Sequence, residues 1–457
     1  MRPSVRFKPD AVCCPASLFL IVFLATLMLT ALPQSSLAKK YTYIDIKNPF
    51  SEKTPVAVTE FMLATGSPPE AADARQGLQI LKESLNFTGY LKVMNPAAFL
   101  SSPAEKGVSL PEIKFKDWTG IGADLLVTGK IQQRPNGEVS VALRLFDTFK
   151  SELVVGNIYS GKRSQVRQII LQFCADVSKA LTGSTGVFNS KIAFVSKRGR
   201  TKEIFTCDFD GKNIKPFTRH NSISLAPSWS HDGQWLAYVS YAKGGTKILI
   251  RQVQGKLGAI VNYPGTNSAP DWMPGSLKLA AAMTYQGDPE IYLLTRKGEM
   301  IKRITRSSGI DVSPDFSPDG RKIAFTSRRY GSPQIYIKDL ETGQVKRLTY
   351  QGNHNTSPAW SPDGKRIAYV GIEDNSIDIF VIRVDSGMPV QLTMDSGDNE
   401  DPSWSPDGSM LAFTSTRNGR VPKIFVMNAS GTDQRQLIVK RGRQSQPAWS
   451  PSLNTDE

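Results

Sequence analysis

Eight residues, Ala226-Pro227-Ser228-Trp229-Ser230-His231-Asp232-Gly233, return along the second half of the chain and leave few folds open to it. The segment is shortened at Ala269-Pro270-Asp271-Trp272. It is complete again from Ser313 to Gly320, from Ser357 to Gly364 and from Asp401 to Gly408, and truncated from Gln446 to Pro451. Its leading prolines stand at 227, 270, 314, 358, 402 and 447. An alanine inside an apolar run keeps the same beat at 193, 237, 280, 324, 368 and 412, as does an isoleucine at 204, 248, 291, 335, 379 and 424. Each unit reads as four short strands. Pro is tolerated where the first strand opens, and Ser-Pro-Asp-Gly makes the following turn because Pro presets φ, Asp bonds nearby backbone and Gly supplies positive φ. Four strands per repeat of this length describe a propeller blade.

Phase shows how the ring closes. The repeats begin at Lys191 with second, third and fourth strands, near 192–196, 203–208 and 214–218, and no first strand. They finish with a first strand at 446–450 that should complete the opening blade and cover its exposed edge. Residues 191–457 are therefore expected to form a six-bladed β-propeller closed by the C-terminal strand.

An N-terminal α/β domain is expected at 39–183, joined by a linker at 184–190. Val56 to Met62 alternates like a strand, and Ser67-Pro68-Pro69-Glu70 has the form of a capping box with proline early in the helix. Ala71, Ala74, Leu78, Leu81 and Leu85 follow at helical spacing. Strands are expected at Leu91–Met94, Asp124–Gln132 and Glu138–Leu145, with Asn136-Gly137 as a hairpin turn. A second helix is expected from a Ser164 cap to a Gly183 stop, burying Val166, Ile169, Ile170, Phe173, Cys174, Val177 and Leu181. Residues 1–38 read as an export signal. Arg2, Arg6 and Lys8 precede an uncharged run from Ala16 to Leu32, and Ser36-Leu37-Ala38 offers a cleavage site after Ala38. Retention of the segment as an anchor is the alternative. Cys13 and Cys14 precede the apolar run, which excludes a lipoprotein signal, and Cys174 and Cys207 are expected as two buried thiols.

No G-x-S-x-G, H-E-x-x-H, P-loop or C-x-x-C is present. The recurring Asp232, Asp319, Asp363 and Asp407 are read as turn formers, and the tryptophans at 229, 272, 360, 404 and 449 as blade packing. Three histidines in all, His220, His231 and His354, argue against zinc. Asp398, Glu400 and Asp401, with Asp311 two blades away, are either a solvated rim or ligands for a cation at the channel mouth; no cofactor is expected. A formal charge of +15 bears on association and not on fold. Nothing points to nucleic acid. The six loops that end at the repeat prolines should emerge on one face, where function on a rigid scaffold is to be sought.

The export signal, the small α/β domain and the repeats ending in Pro447-Ala448-Trp449-Ser450-Pro451 together resemble the TolB family of the Tol–Pal system. Gly122-Ala123-Asp124, Leu145-Phe146-Asp147-Thr148 and Leu181-Thr182-Gly183 extend the resemblance over the mature chain. It implies a monomeric, non-catalytic periplasmic adaptor that supports outer-membrane integrity and envelope constriction and also admits certain bacteriocins. The partners it implies are a peptidoglycan-associated lipoprotein (Pal) at the propeller's channel mouth and TolA at the mature N-terminal segment. By position, the Pal-facing residues are Thr266, Asn267 and Val312, with His220, Asp311 and Asn355 beside them; Thr266 stands where the family carries histidine. The TolA-facing segment is Lys39 to Phe50, with Tyr41, Tyr43, Ile44 and Ile46 spaced as in a strand. The rival readings are a peptidase-like propeller, which needs a further hydrolase domain, and a sugar-binding propeller.

Overall fold

The computed structural model describes residues 52–100, 110–242, 244–373, 375–385 and 387–453. The expected signal, its cleavage site after Ala38 and the segment with Tyr41, Tyr43, Ile44 and Ile46 lie outside these residues. Among the described residues, no helix is long and apolar enough to cross a membrane.

The N-terminal domain is a five-stranded sheet with its two long helices on one face. Its strands are β1 (Thr54–Leu63), β2 (Leu91–Val93), β3 (Leu125–Gln133), β4 (Glu138–Asp147) and β5 (Glu152–Lys162), in the order β2-β1-β3-β4-β5. The β1 strand pairs in parallel with β2 and β3, whereas β3, β4 and β5 form an antiparallel meander. Helices α1 (Pro68–Phe87) and α3 (Val166–Thr182) pack Leu81, Leu85, Ile170, Phe173 and Val177 against Val56, Val58, Val127 and Leu143 of the sheet. A short helix α2 (Phe115–Thr119) covers part of the other face with Trp118.

Three details differ from the sequence reading. Ser67 precedes α1 but its hydroxyl makes no cap bond, because Pro68 and Pro69 remove the nearest amide donors. Glu70 instead reaches back to the amides of Thr65 and Gly66, both at 2.9 Å, and to the Gln133 amide at 3.3 Å. Those amide donors hold the Glu70 carboxyl below its ordinary range in spite of burial, the largest single influence. The α3 helix begins after a single 3-10 turn at Arg163–Gln165, so Ser164 is not its cap; it stops at Gly183 with φ 81°. The β5 strand was not expected. Gly156, Asn157 and Gly161 interrupt its apolar pattern, which an edge strand tolerates.

The propeller consists of six four-stranded sheets, numbered blades 1 to 6 in chain order. Blade 1 holds β6 (Lys191–Arg198), β7 (Thr201–Asp208) and β8 (Lys215–Pro216), and takes its inner strand from Arg443–Trp449. That closing strand pairs antiparallel with β6, placing Ala448 opposite Ala193 and Trp449 opposite Ile192. The Lys191 amide donates to Ser450 Oγ at 2.9 Å, and the Ser450 amide to the Lys191 carbonyl at 2.8 Å. The stretch read as a linker is packed. Val187 and Phe188 are buried in a core shared by both domains, and Ser190 Oγ accepts from Trp449 Nε1 at 2.8 Å. Cys174 and Cys207 are free and buried, and burial pushes both thiols up.

The repeat residues act as turn and packing groups. In blade 4, Ser317 Oγ donates to Asp319 Oδ1 at 2.6 Å, the Arg321 amide donates to the same oxygen at 3.0 Å, and Gly320 sits at φ 68°. Asp363 and Asp407 repeat the arrangement. Trp229, Trp272 and Trp404 each donate Nε1 to a carbonyl of the preceding blade at 3.0–3.1 Å, which joins neighbouring blades as well as filling space between them.

Candidate functional site

A four-stranded antiparallel meander sends its first-to-second and third-to-fourth connections to one side. Its second-to-third connections, and the loops to the next blade, emerge on the other. The N-terminal domain occupies the first side: Arg167 on α3 bonds Asp208 and Asp210, Lys212 pairs with Glu83, and Arg435 Nη2 donates to the Phe87 carbonyl at 2.6 Å. Among the described residues, the side left uncovered is the one formed by the loops ending at the repeat prolines.

A buried polar residue stands three places before each proline, and all but Ser224, whose hydroxyl has no hydrogen-bond partner among the described residues, tie the loop stems. The six are Ser224, Asn267, Asp311, Asn355, Asn399 and Gln444, none more than 2% exposed. Asn267 Nδ2 donates to the carbonyls of Thr246 and Tyr263 at 3.1 and 2.8 Å. Asn355 Nδ2 donates to Gln334 Oε1 at 2.8 Å and to the Gln351 carbonyl at 2.7 Å. Asn399 donates to Asp378 Oδ1 at 3.1 Å and accepts from Arg417 at 3.0 Å. Asp311 pairs with Arg329 at 2.9 Å, yet burial raises its carboxyl pKa above the ordinary value. A threonine at the end of the outer strand completes each anchor in blades 3, 4 and 5. Thr305, Thr349 and Thr393 accept an inner amide and donate to Glu290, Gln334 and Asp378. An unpaired polar group so placed would be costly, so the network fixes the loop stems.

Below the stems each inner strand bulges. The residue before every proline, Ala226, Ala269, Ser313, Ser357, Asp401 and Gln446, lies in the left-handed region with φ between 46° and 55°. Each marks a bulge where the inner strand shifts register on its neighbour. The cavity beneath, about 570 Å³, is lined by these residues and by Asp271, Asp315, Pro318, Pro362 and Pro406. It belongs to the Ser-Pro-Asp-Gly end of the channel.

Above the stems the surface is apolar in several places. Tyr330 is 82% and Val439 84% exposed; Val439, Tyr350 and Met394 stand on the loops ending at the repeat prolines, and Tyr330, Tyr241 and Tyr285 on the second-to-third strand connections of the same side. Sequence reasoning did not single out these six. Laying the repeats in register would have revealed them, since bulky side chains stand there in loops that otherwise carry turn residues.

The domain described as "TolB beta propeller domain" matches residues 178–453, and the one described as "TolB amino-terminal domain" matches 42–154. The chain belongs to the TolB family. It is 58% identical to "Tol-Pal system protein TolB" of Desulfosudis oleivorans over 93% of this chain and 97% of that one. It is 39% identical to "Protein TolB homolog" of Chlorobium chlorochromatii over 68% and 67% of the two chains. The crystal structure of TolB from Acinetobacter baumannii matches with a TM-score of 0.77 at 28% identity, over 88% of this chain and 97% of that one. The relatives are named for a system and not for a reaction.

The residues that the TolB resemblance singles out fall into two groups. Thr266 is exposed and Val312 half-buried at the inner edge of the mouth. His220 is half-buried, its Nε2 3.0 Å from the Tyr238 hydroxyl. Asn267, Asp311 and Asn355, on the same face, are buried and bonded to the propeller's own groups. They position the loops that carry their exposed neighbours. Among the candidate cation ligands, Asp311 is held by Arg329, and Asp401 accepts from Thr414 Oγ1 at 3.0 Å. Among the described residues, no three His, Cys, Asp or Glu side chains are grouped to hold a metal ion. Burial, with Asp401 and Asp398 nearby, raises the Glu400 carboxyl pKa.

Proposed function

We propose that this chain is a periplasmic adaptor of a Tol–Pal system, exported with cleavage after Ala38. Its propeller mouth docks a Pal-like peptidoglycan-associated lipoprotein, and residues 39–50 engage a TolA-like partner through Tyr41, Tyr43, Ile44 and Ile46. The role would be to support outer-membrane integrity and constriction of the envelope at division. The observation that carries the reading is the set of exposed tyrosines, with Met394 and Val439, on the loops facing away from the N-terminal domain. Exposed aromatic side chains clustered on one face are the usual anchors of a protein interface.

Calorimetry with the Pal domain of the same organism tests this. Tyr330→Ala combined with Tyr350→Ala should weaken binding by about 2 kcal/mol, roughly thirtyfold, with the melting temperature unchanged. Thr266→Arg, at the inner edge, should weaken it as well. Lys297→Glu, exposed on the opposite side of the propeller, should alter affinity little. Equal affinity of the wild type and the double tyrosine variant would remove the mouth from the reading.

A further inference from the structure

Six similar loops around a pseudo-symmetric ring offer a docking partner six near-equivalent rotations, and shape alone separates them poorly. Charge separates them here. Arg198 at the end of β6, Arg200 from the loop after it, Arg219 from the loop leaving blade 1, Arg420 from blade 6, Arg441 from the ring-closing loop and Arg443 at the start of the closing strand are all exposed. Among the described residues, none of the six lies within ion-pair distance of a carboxylate. The nearby Glu203 is engaged by the Thr218 hydroxyl and the Asn221 amide. On the adjoining side, blade 5 and the loop leaving it expose Glu373, Asp395, Asp398 and Glu400. One arc of the mouth is therefore strongly basic and the next is acidic.

We infer that the arginine arc of blades 6 and 1 is a docking surface for an acidic segment of a protein partner. The acidic arc of blade 5 faces a basic part of that partner, so the two arcs together select one rotation about the channel axis. The inference rests on the mouth being a protein-docking face, as proposed above. Guanidinium groups suit carboxylates because they bond them in a two-pronged fork, and unpaired exposed cations steer an oppositely charged surface into register. An anionic lipid surface fits less well. It would meet four carboxylates on the same rim, whereas a folded partner can carry both signs.

The test uses the full mature chain and three probes: polyglutamate, the cognate Pal domain and phosphatidylglycerol vesicles. The variant is Arg200→Glu with Arg441→Glu and Arg443→Glu. Its control is Lys256→Glu with Lys297→Glu and Lys365→Glu, three exposed lysines on the opposite side with the same change in net charge. At low salt the arginine variant should lose polyglutamate binding by about tenfold or more while the control keeps it, and the loss should shrink as salt screens the field. The association rate of the Pal domain should fall in the same variant. Equal polyglutamate binding by wild type and arginine variant, or binding to vesicles without binding to polyglutamate, would overturn the inference. Failure of the wild type to bind the Pal domain while polyglutamate binding still depends on the arginines would overturn the proposed partner and leave the acidic-segment surface standing.

Discussion

A residue before proline is sterically pressed toward extended backbone, yet at six equivalent places this chain holds one in the left-handed region. Each such residue costs about 1 kcal/mol or more, so the bulge persists because the surrounding sheet imposes it. One residue past the proline, Asp271 accepts from the Phe316 amide at 2.9 Å and Asp315 from the Trp360 amide at 2.8 Å, which ties blade 3 to blade 4 and blade 4 to blade 5. Burial pushes both carboxyls above the ordinary 3.8, and the Asp271 charge adds to the rise at Asp315. The folded chain then binds protons that the unfolded chain has released. The stability these groups contribute is complete below about pH 4 and is lost as pH rises through their folded values. Asp271→Asn removes one charge of the pair and keeps an acceptor. Its melting temperature relative to wild type should therefore increase steadily from about pH 4 to about pH 8. An offset constant across that range would mean that burial does not raise the Asp271 carboxyl. The sequence showed these aspartates only as variants within a repeat. It could not show that Asn267, Asp311 and Asn355 are enclosed, because a polar residue beside a loop proline looks the same whether it meets solvent or a buried carbonyl.

At the scale of elements, periodicity carried most of the information. Blade strands recur with turn residues at fixed offsets, so their number, order and closure could be read before any coordinate was known. The buried stripe of α3 likewise follows from 3.6-residue spacing. The β5 strand escaped because its glycines and exposed alternate residues mimic a loop, and the Ser67 cap failed because tandem prolines leave few amides to cap. The closing strand offers the sharpest test at this scale. Truncation before Arg443 would strip β6 of its inner partner and remove the Trp449 side chain, which is 7% exposed and fills the seam between blades 6 and 1. Both sides of the gap would then present unpaired backbone, a template for association. The truncated chain should lose its cooperative unfolding transition and scatter light on concentration. A melt superimposable on that of the full chain would show that the seam contributes little. The milder Trp449→Ala should cost about 3–5 kcal/mol while keeping the strand.

The whole molecule is held as one unit by a core that crosses the domain boundary. Leu81, Leu85 and Phe173 of the N-terminal domain, Val187 and Phe188 of the connecting stretch, and Cys207, Phe209, Met410 and Val426 of the propeller belong to one continuous apolar cluster. Phe209 is central to it. Its ring lies edge-on to Phe87 at 5.0 Å and to Phe188 at 5.4 Å, and it is fully buried. Around this contact, Arg167 bonds Asp208 and Asp210 at 2.9–3.2 Å, and Lys191 joins Asp208 at 3.1 Å. The ion pairs are partly exposed and add modestly, so the aromatic cluster is expected to dominate the coupling. An interface of this kind makes the two domains melt together, unlike the mobile, polar junctions common between domains. Calorimetry should therefore record a single transition for the wild type. Phe209→Ala opens a cavity in the joint core and should cost about 3–5 kcal/mol of coupling. The trace should then split, with the smaller α/β domain melting first and the ring, closed by its own strand, melting later. Two transitions already in the wild type would show that the domains are only tethered, and a single lowered transition in Phe209→Ala would show that coupling survives without the ring stack.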